Sequence, residues 1–309
     1  MNRLLPYLML LALALLWSSS FAAIKVAVAT VPPVLLTAAR ILLAAAVLWG
    51  YARLRGVSLP GRGGAWVTLF FIGLFGNTAP FFLIAWGETT IGSGLAAILM
   101  AFMPIATVLL AHVFTADERI NTLRAAGVGA GMTGVVVLIG VDALEGLGGS
   151  VWAQVAVAGG GICYAIANVL AKRLPPLPPE SRAAGTMVCA AAQMVPVALV
   201  LAPPLAGLPG PAEMGWGLAA VAYLGLFPTA LAAIILFKLI DRKGATFLSQ
   251  VNYLIPALGV VWGVTLLGET VATHQVVALA LILLGVGLTG RAQAAPAPSP
   301  KKEKVPGTF

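Results

Sequence analysis

About ten stretches of some 20 residues, each continuous in its apolar character, follow one another along this chain. A run of that length crosses the ~30 Å hydrocarbon core of a bilayer as an α-helix. Inside that core every backbone N–H and C=O must find its partner within the protein, and only helices or closed barrels manage this. The runs are rich in Leu, Ala, Val and Gly and do not alternate apolar with polar residues, so helix is the reading. Charge agrees: 9% of the 309 residues are charged, 60% are hydrophobic, and the mean hydropathy is +1.01. A soluble domain carries about 25% charged residues to wet its surface.

Periodicity places helices at 4–27, 34–53, 65–86, 91–113, 122–141, 151–173, 183–203, 216–239, 245–267 and 273–291. The tail from 292 to 309, with alternating prolines and three lysines, has no periodicity and reads as disordered. Arg3, the apolar run behind it and Ser20 to Ala23 also have the outline of a cleavable signal peptide. A retained first helix is preferred, because that segment has a counterpart later in the chain.

Basic residues test the map. With the N-terminus cytoplasmic, the inner segments hold Arg3; Arg53, Arg55 and Arg62; Arg119 and Arg124; Lys172, Arg173 and Arg182; Lys238, Arg242 and Lys243; and Arg291 with the tail lysines. That is 16 of the 18 basic residues, while the outer loops hold only acidic ones: Glu88, Asp142, Glu145, Glu213 and Glu269. The positive-inside rule therefore supports ten helices with both termini cytoplasmic. The net charge of +8 is spent on orientation, and no basic stripe with interleaved aromatics points to nucleic acid. Cys163 and Cys189 lie in apolar runs and read as small buried hydrophobes.

The chain repeats itself. Gly73-Leu74-Phe75 returns as Gly225-Leu226-Phe227, Gly92 as Gly244, and Pro104 as Pro256, all 152 residues on. One residue shorter, Glu118 pairs with Glu269 and Gly134 with Gly285. More weakly, Trp17 aligns with Tyr164, Phe21 with Asn168 and Lys25 with Lys172. Five helices per half, at 4–141 and 151–291, put the second half into the membrane upside down. Inverted repeats of this kind hold their substrate sites near the midplane between the halves.

Polar groups at membrane depth need a partner or a cavity. Asn77 and Thr229 occupy matching repeat positions, as do Trp17 and Tyr164, and Phe21 and Asn168. With Phe81 and Met100 they form the candidate wall of a substrate cavity, amide and hydroxyl groups for polar atoms and aromatic faces for an apolar part or an ammonium. Interhelical hydrogen bonds, worth ~0.6 kcal/mol each, are the plainer alternative. Of Ser18, Ser19 and Ser20, the last lies three beyond Trp17 and is the candidate. Gln250 and Tyr253 share a helix face just before Pro256 and are read as lining residues. Pro104 and Pro256 are read as kinks that serve gating. Arg40 starts ~10 Å below the outer boundary; snorkelling to the headgroups is its expected behaviour, and meeting a substrate carboxylate in the cavity is the alternative that makes it a candidate. Glycines 127, 131, 134, 285 and 287 permit close helix approach, within a monomer by default or at a dimer seam.

Leu16-Trp17-Ser18-Ser19-Ser20-Phe21, the run from Pro33 to Thr37-Ala38-Ala39-Arg40, and Ala85-Trp86 through Gly94-Leu95-Ala96-Ala97-Ile98 to Pro104 and Glu118-Arg119 carry a likeness. Over residues 4 to about 291 the chain resembles the EamA-type transporters of the drug/metabolite transporter superfamily. The resemblance implies two EamA repeats in a cell inner membrane, a central cavity open to each side in turn, and export of small metabolites such as amino acids. A drug or lipophilic-cation pump is the alternative. Small multidrug exporters, which resemble one half of this fold, use a glutamate midway along the first helix, and this chain has none there. A membrane enzyme would need a buried nucleophile–base or metal set; no such set, cofactor motif or glycine-rich phosphate loop is legible.

Overall fold

The computed structural model describes residues 4–61, 63–114, 121–144, 148–204, 208–210 and 213–294. All regular structure among them is helical. In chain order the helices are α1 (Leu5–Val28), α2 (Pro33–Leu54), α3 (Ala65–Glu88), α4 (Ser93–Phe114), α5 (Thr122–Leu144), α6 (Gly148–Ala171), α7 (Pro179–Leu201), α8 (Gly215–Gly244), α9 (Val251–Leu267) and α10 (Thr273–Ala294). Among the described residues nine are long and apolar enough to cross a membrane, and α9, at 17 residues, is the shorter exception. The protein is a multi-pass membrane protein.

Several boundaries differ from the sequence reading, α8 running on to Gly244 rather than 239 among them. Pro178 in extended geometry and Pro179 at the first helical position start α7 four residues earlier than periodicity placed it, because a proline there wastes no hydrogen bond. Gly244, at φ 80° and ψ 170°, breaks the chain after α8, and a turn at 249–250 delays α9 to Val251. Residues 292–294, assigned above to the tail, continue α10. Residues 295–309 lie outside the described residues, as do Arg3, Arg62, Glu118, Arg119 and Glu145.

Two helices contain a π segment, Leu74–Thr78 in α3 and Gly225–Leu231 in α8, and these overlap at the 152-residue offset. The packing partners follow a pattern. The first helix, α1, packs on α8 and α9; α6 packs on α3 and α4; α2 pairs with α7 and α5 with α10. Exchanging each helix for the one five later returns the same set. The core holds fully buried side chains on both sides of this pattern, among them Leu13, Ile24, Leu36, Ile98, Met194 and Leu224.

The glycines of α5 are used inside the chain. A Cβ on Gly127 would lie 2.7 Å from the Gly285 carbonyl oxygen of α10, and one on Gly134 would lie 2.9 Å from the Ala278 carbonyl oxygen. A Cβ on Gly131 would meet Ile105 of α4, while its backbone nitrogen lies 2.8 Å from where a Cβ on Gly285 would stand. Gly287 has open space around it and is not part of that contact. The two backbones thus approach as small-residue interfaces allow. Gly127→Val is expected to lower the unfolding temperature in detergent, at a cost of about 1–3 kcal/mol from overpacking. Gly129→Ala, where no atom lies within 4 Å, is expected to leave it unchanged or raise it slightly.

Candidate functional site

The central cavity is bordered by two helices whose α-helical ladder is interrupted at a proline. Pro228 in α8 has no N–H for the Leu224 carbonyl, the helix widens into its π segment there, and the Thr229 hydroxyl also donates to that carbonyl, at 2.7 Å. In the same π segment the Ala232 N–H goes to the Phe227 carbonyl. The Pro228 carbonyl is left to accept from Trp17 Nε1 across the interface with α1, at 3.2 Å. In α3, Pro80 likewise removes the donor for the Gly76 carbonyl, and the Ala79 N–H reaches five residues back to Leu74. π segments are frequent at functional sites, and here both border the same space.

That space is a cavity of about 360 Å³, within the range of small-molecule pockets. Trp17, Ser20 and Phe21 of α1, Arg40 of α2, Asn77 and Phe81 of α3, Met100 and Pro104 of α4, Tyr164 and Asn168 of α6, Thr229 of α8 and Pro256 of α9 all line it. Ser20 donates to the Trp17 carbonyl at 2.6 Å. Asn168, which is exposed, donates to Met103 Sδ at 3.4 Å. The other two serines knit helices: Trp262 Nε1 donates to Ser18 Oγ at 2.9 Å, and Ser19 Oγ and the Tyr223 hydroxyl are 2.7 Å apart.

Gln250 and Tyr253 are placed elsewhere. Both border a separate hollow between α9 and α10, and the Tyr253 hydroxyl donates to the Val286 carbonyl at 3.2 Å. Asn252, four residues before Pro256 in the same helix, shares its face and lines the central cavity in their stead.

Arg40 does not snorkel. Its residue is 5% exposed. Nε donates to Thr229 Oγ1 at 2.9 Å, and the guanidinium carbon lies 3.7 Å from the centre of the Phe81 ring. Among the described residues its two terminal nitrogens make no hydrogen bond, nor do the side chains of Asn77, Tyr164 and Asn252. A cation, two amides and a phenol therefore keep donor or acceptor capacity toward the cavity.

The cavity lies toward the face where α1 begins. Ile24, Arg40 and Ile84 line its deep end, and Asn168, Leu236 and Asn252 lie nearest that face. The opposite, far face is sealed. Lys25 Nζ donates to the Glu88 and Ile91 carbonyls at 2.7 and 2.8 Å. Glu269 accepts from the Ser93 and Gly94 N–H groups at 2.7 and 2.8 Å, capping the start of α4 from the α9–α10 connection. Gly268, at φ 65°, turns the chain so that this carboxylate enters a cradle of Gly92, Gly94 and Gly263. Glu88 itself is fully buried.

Comparison with known proteins decides the class. The EamA-like transporter family profile matches residues 4–140 and 151–291. The chain belongs to that family. It is 28% identical over 281 residues to "Uncharacterized inner membrane transporter YedA" of Escherichia coli K12, covering 90% of this chain and 88% of that one. It is 26% identical over 296 residues to "Protein PagO" of Salmonella typhimurium LT2, covering 91% of each. It is 29% identical over 284 residues to "Probable terminal-alkyne amino-acid exporter" of Streptantibioticus cattleyicolor, covering 89% and 90%. A solved crystal structure superposes with a TM-score of 0.64 at 24% identity, over 93% of this chain and 98% of that one, and shares the fold.

The EamA chain's lining set makes a direct prediction. In a background with Cys163→Ala and Cys189→Ala, Asn252→Cys is expected to react with a charged thiol reagent applied from the cavity side. Tyr253→Cys is expected to react with that reagent more slowly, and mass spectrometry of the labelled protein separates the two.

Proposed function

We propose that this chain is an inner-membrane exporter of small metabolites that carry a carboxylate, amino acids and related zwitterions foremost. One observation carries the reading: the Arg40 guanidinium is held in the cavity wall by Thr229 and Phe81, and among the described residues its terminal nitrogens make no hydrogen bond. A guanidinium presents paired N–H groups that match the two oxygens of a carboxylate. The aromatic faces of Trp17 and Tyr164 and the amides of Asn77 and Asn252 surround the remaining space for an ammonium and a side chain. A volume of about 360 Å³ suits a solute of that size. The relative named as an amino-acid exporter is consistent with it.

Alternating access between two inverted five-helix repeats is the mechanism we favour. The overlapping π segments, the self-mapping helix pairs and the two separate family matches support it. In it α9, preceded by the turn at 249–250, completes a tenth crossing. The positive-inside distribution of basic residues favours an orientation with the open face and both termini in the cytoplasm. The α5–α10 glycines, spent within the chain, favour a monomer. The aromatic lining alone would suit a lipophilic cation, yet a buried arginine repels one, so drug efflux is the second reading.

Counterflow in proteoliposomes tests this. Unlabelled amino acids are expected to compete with a labelled one such as L-threonine, and their carboxamides are not. Arg40→Gln should weaken the competing amino acids by on the order of 10- to 100-fold, the worth of a hydrogen bond to a charged group. The amino acid–amide preference should vanish with it. Equal competition by amides in the native chain would remove the carboxylate reading.

A further inference from the structure

Behind the deep end of the cavity lies a titratable group that the binding site does not use. Glu88, the last residue of α3, is 0% exposed, and among the described residues both of its carboxyl oxygens lack a hydrogen-bond partner. It stands one helical turn beyond Ile84, which lines the cavity. Lys25, Arg40 and Glu269 are the charged groups near enough to act on it, and among the described residues none of them hydrogen-bonds its carboxyl oxygens. On α1, Lys25 Nζ is held by the Glu88 and Ile91 carbonyls. On α2, Arg40 is held by Thr229 and Phe81. From the α9–α10 connection, Glu269 is held by the start of α4. The neighbouring turns of α6 present Ala153 and Val157 to Gly87, and α4 presents Ser93, whose hydroxyl is also buried and unpartnered.

A charge in such a place costs several kcal/mol unless it is paired or neutralised. A carboxyl escapes that cost by binding a proton, and it can release the proton when the wall around it opens to water. The wall on the far side is the layer made by the Lys25 and Glu269 contacts. We propose that Glu88 is a proton-binding site, separate from the substrate cavity, that ties closure of the far face to the pH on that side. The inference rests on the alternating-access reading. Its sign follows from linkage: the state closed around Glu88 binds the proton more tightly, so acid on the far side favours it and alkali favours the far-open state. The proton is taken from far-side water on closing and returned there on opening, and no other bond changes. For an exporter facing an acidic exterior, this would speed the return of the empty carrier.

The test needs no substrate. Spin labels are placed at Thr90→Cys and Thr270→Cys, both exposed on the far face, in the Cys163→Ala and Cys189→Ala background. Pulsed electron-resonance distances in nanodiscs are then read across pH. The native chain is expected to shift from a short to a long distance as pH rises, the ratio changing by up to about tenfold per pH unit for one proton. Glu88→Gln, an isostere of the protonated acid, should stay at the short distance throughout and keep its unfolding temperature. Infrared difference spectra should show a protonated-carboxyl band in the native chain that the variant lacks. An unchanged pH shift in Glu88→Gln, or none in the native chain, would overturn the proposal. Amino acid–amide competition is measured at one pH, so failure there is distinguishable from failure here.

Discussion

A carbonyl released by a proline in the middle of a membrane has no water to turn to, and the centre of this protein is organised by the groups that answer it. Pro228 denies the Leu224 carbonyl its α-helical donor; the π turn and the Thr229 hydroxyl both answer it, and that hydroxyl oxygen then accepts from Arg40. Arg40 in turn lies over Phe81. The Pro228 carbonyl, bypassed by its usual donor, accepts from Trp17. One local defect in α8 thereby fixes side chains on α1, α2 and α3. Each link is worth only about 1 kcal/mol net, but leaving any one unmade in a low-dielectric interior costs more than that.

The same chain of contacts explains why Arg40 turns inward. A long basic side chain near a helix end usually reaches for the headgroups, since that route avoids desolvation. Here the inward path offers a hydroxyl with a spare lone pair and an aromatic face, and cation–π contacts gain strength once desolvated. The cavity also leaves the far end of the guanidinium hydratable. Partial rather than complete desolvation is what makes the position affordable, and it keeps two nitrogens available.

Much of this was legible in the chain itself. The apolar runs imply helices because no other open structure satisfies a backbone in lipid; the 152-residue offset paired Asn77 with Thr229, and the weaker alignment of the first and sixth helices paired Trp17 with Tyr164. What escaped was the face. Gln250 and Tyr253 were assigned to the cavity because they share a helix face just before Pro256, whereas the face that Pro256 itself presents to the cavity is the one it shares with Asn252, four residues earlier. Polar residues stand on both faces of this turn, so the sequence does not say which of them looks inward. Ile24, Met103, Met187 and Leu236 also line the cavity, and nothing separates such residues from ordinary core until the void between them is seen. Burial of Glu88 was equally hidden, since a carboxylate at a helix end reads as a solvated terminus.

The far-face seal has an asymmetry of material. Glu269 supplies a side chain, whereas α4 supplies only main-chain N–H groups at Ser93 and Gly94. Apart from proline, no replacement at those two positions removes the donors, although a bulky one would crowd the cradle. Sequence drift on the α4 side can therefore reshape the latch without erasing it, while drift at position 269 erases it in one step. A lock whose one half is written in backbone can persist among distant relatives that share few side chains, provided the carboxylate and the glycines around it survive.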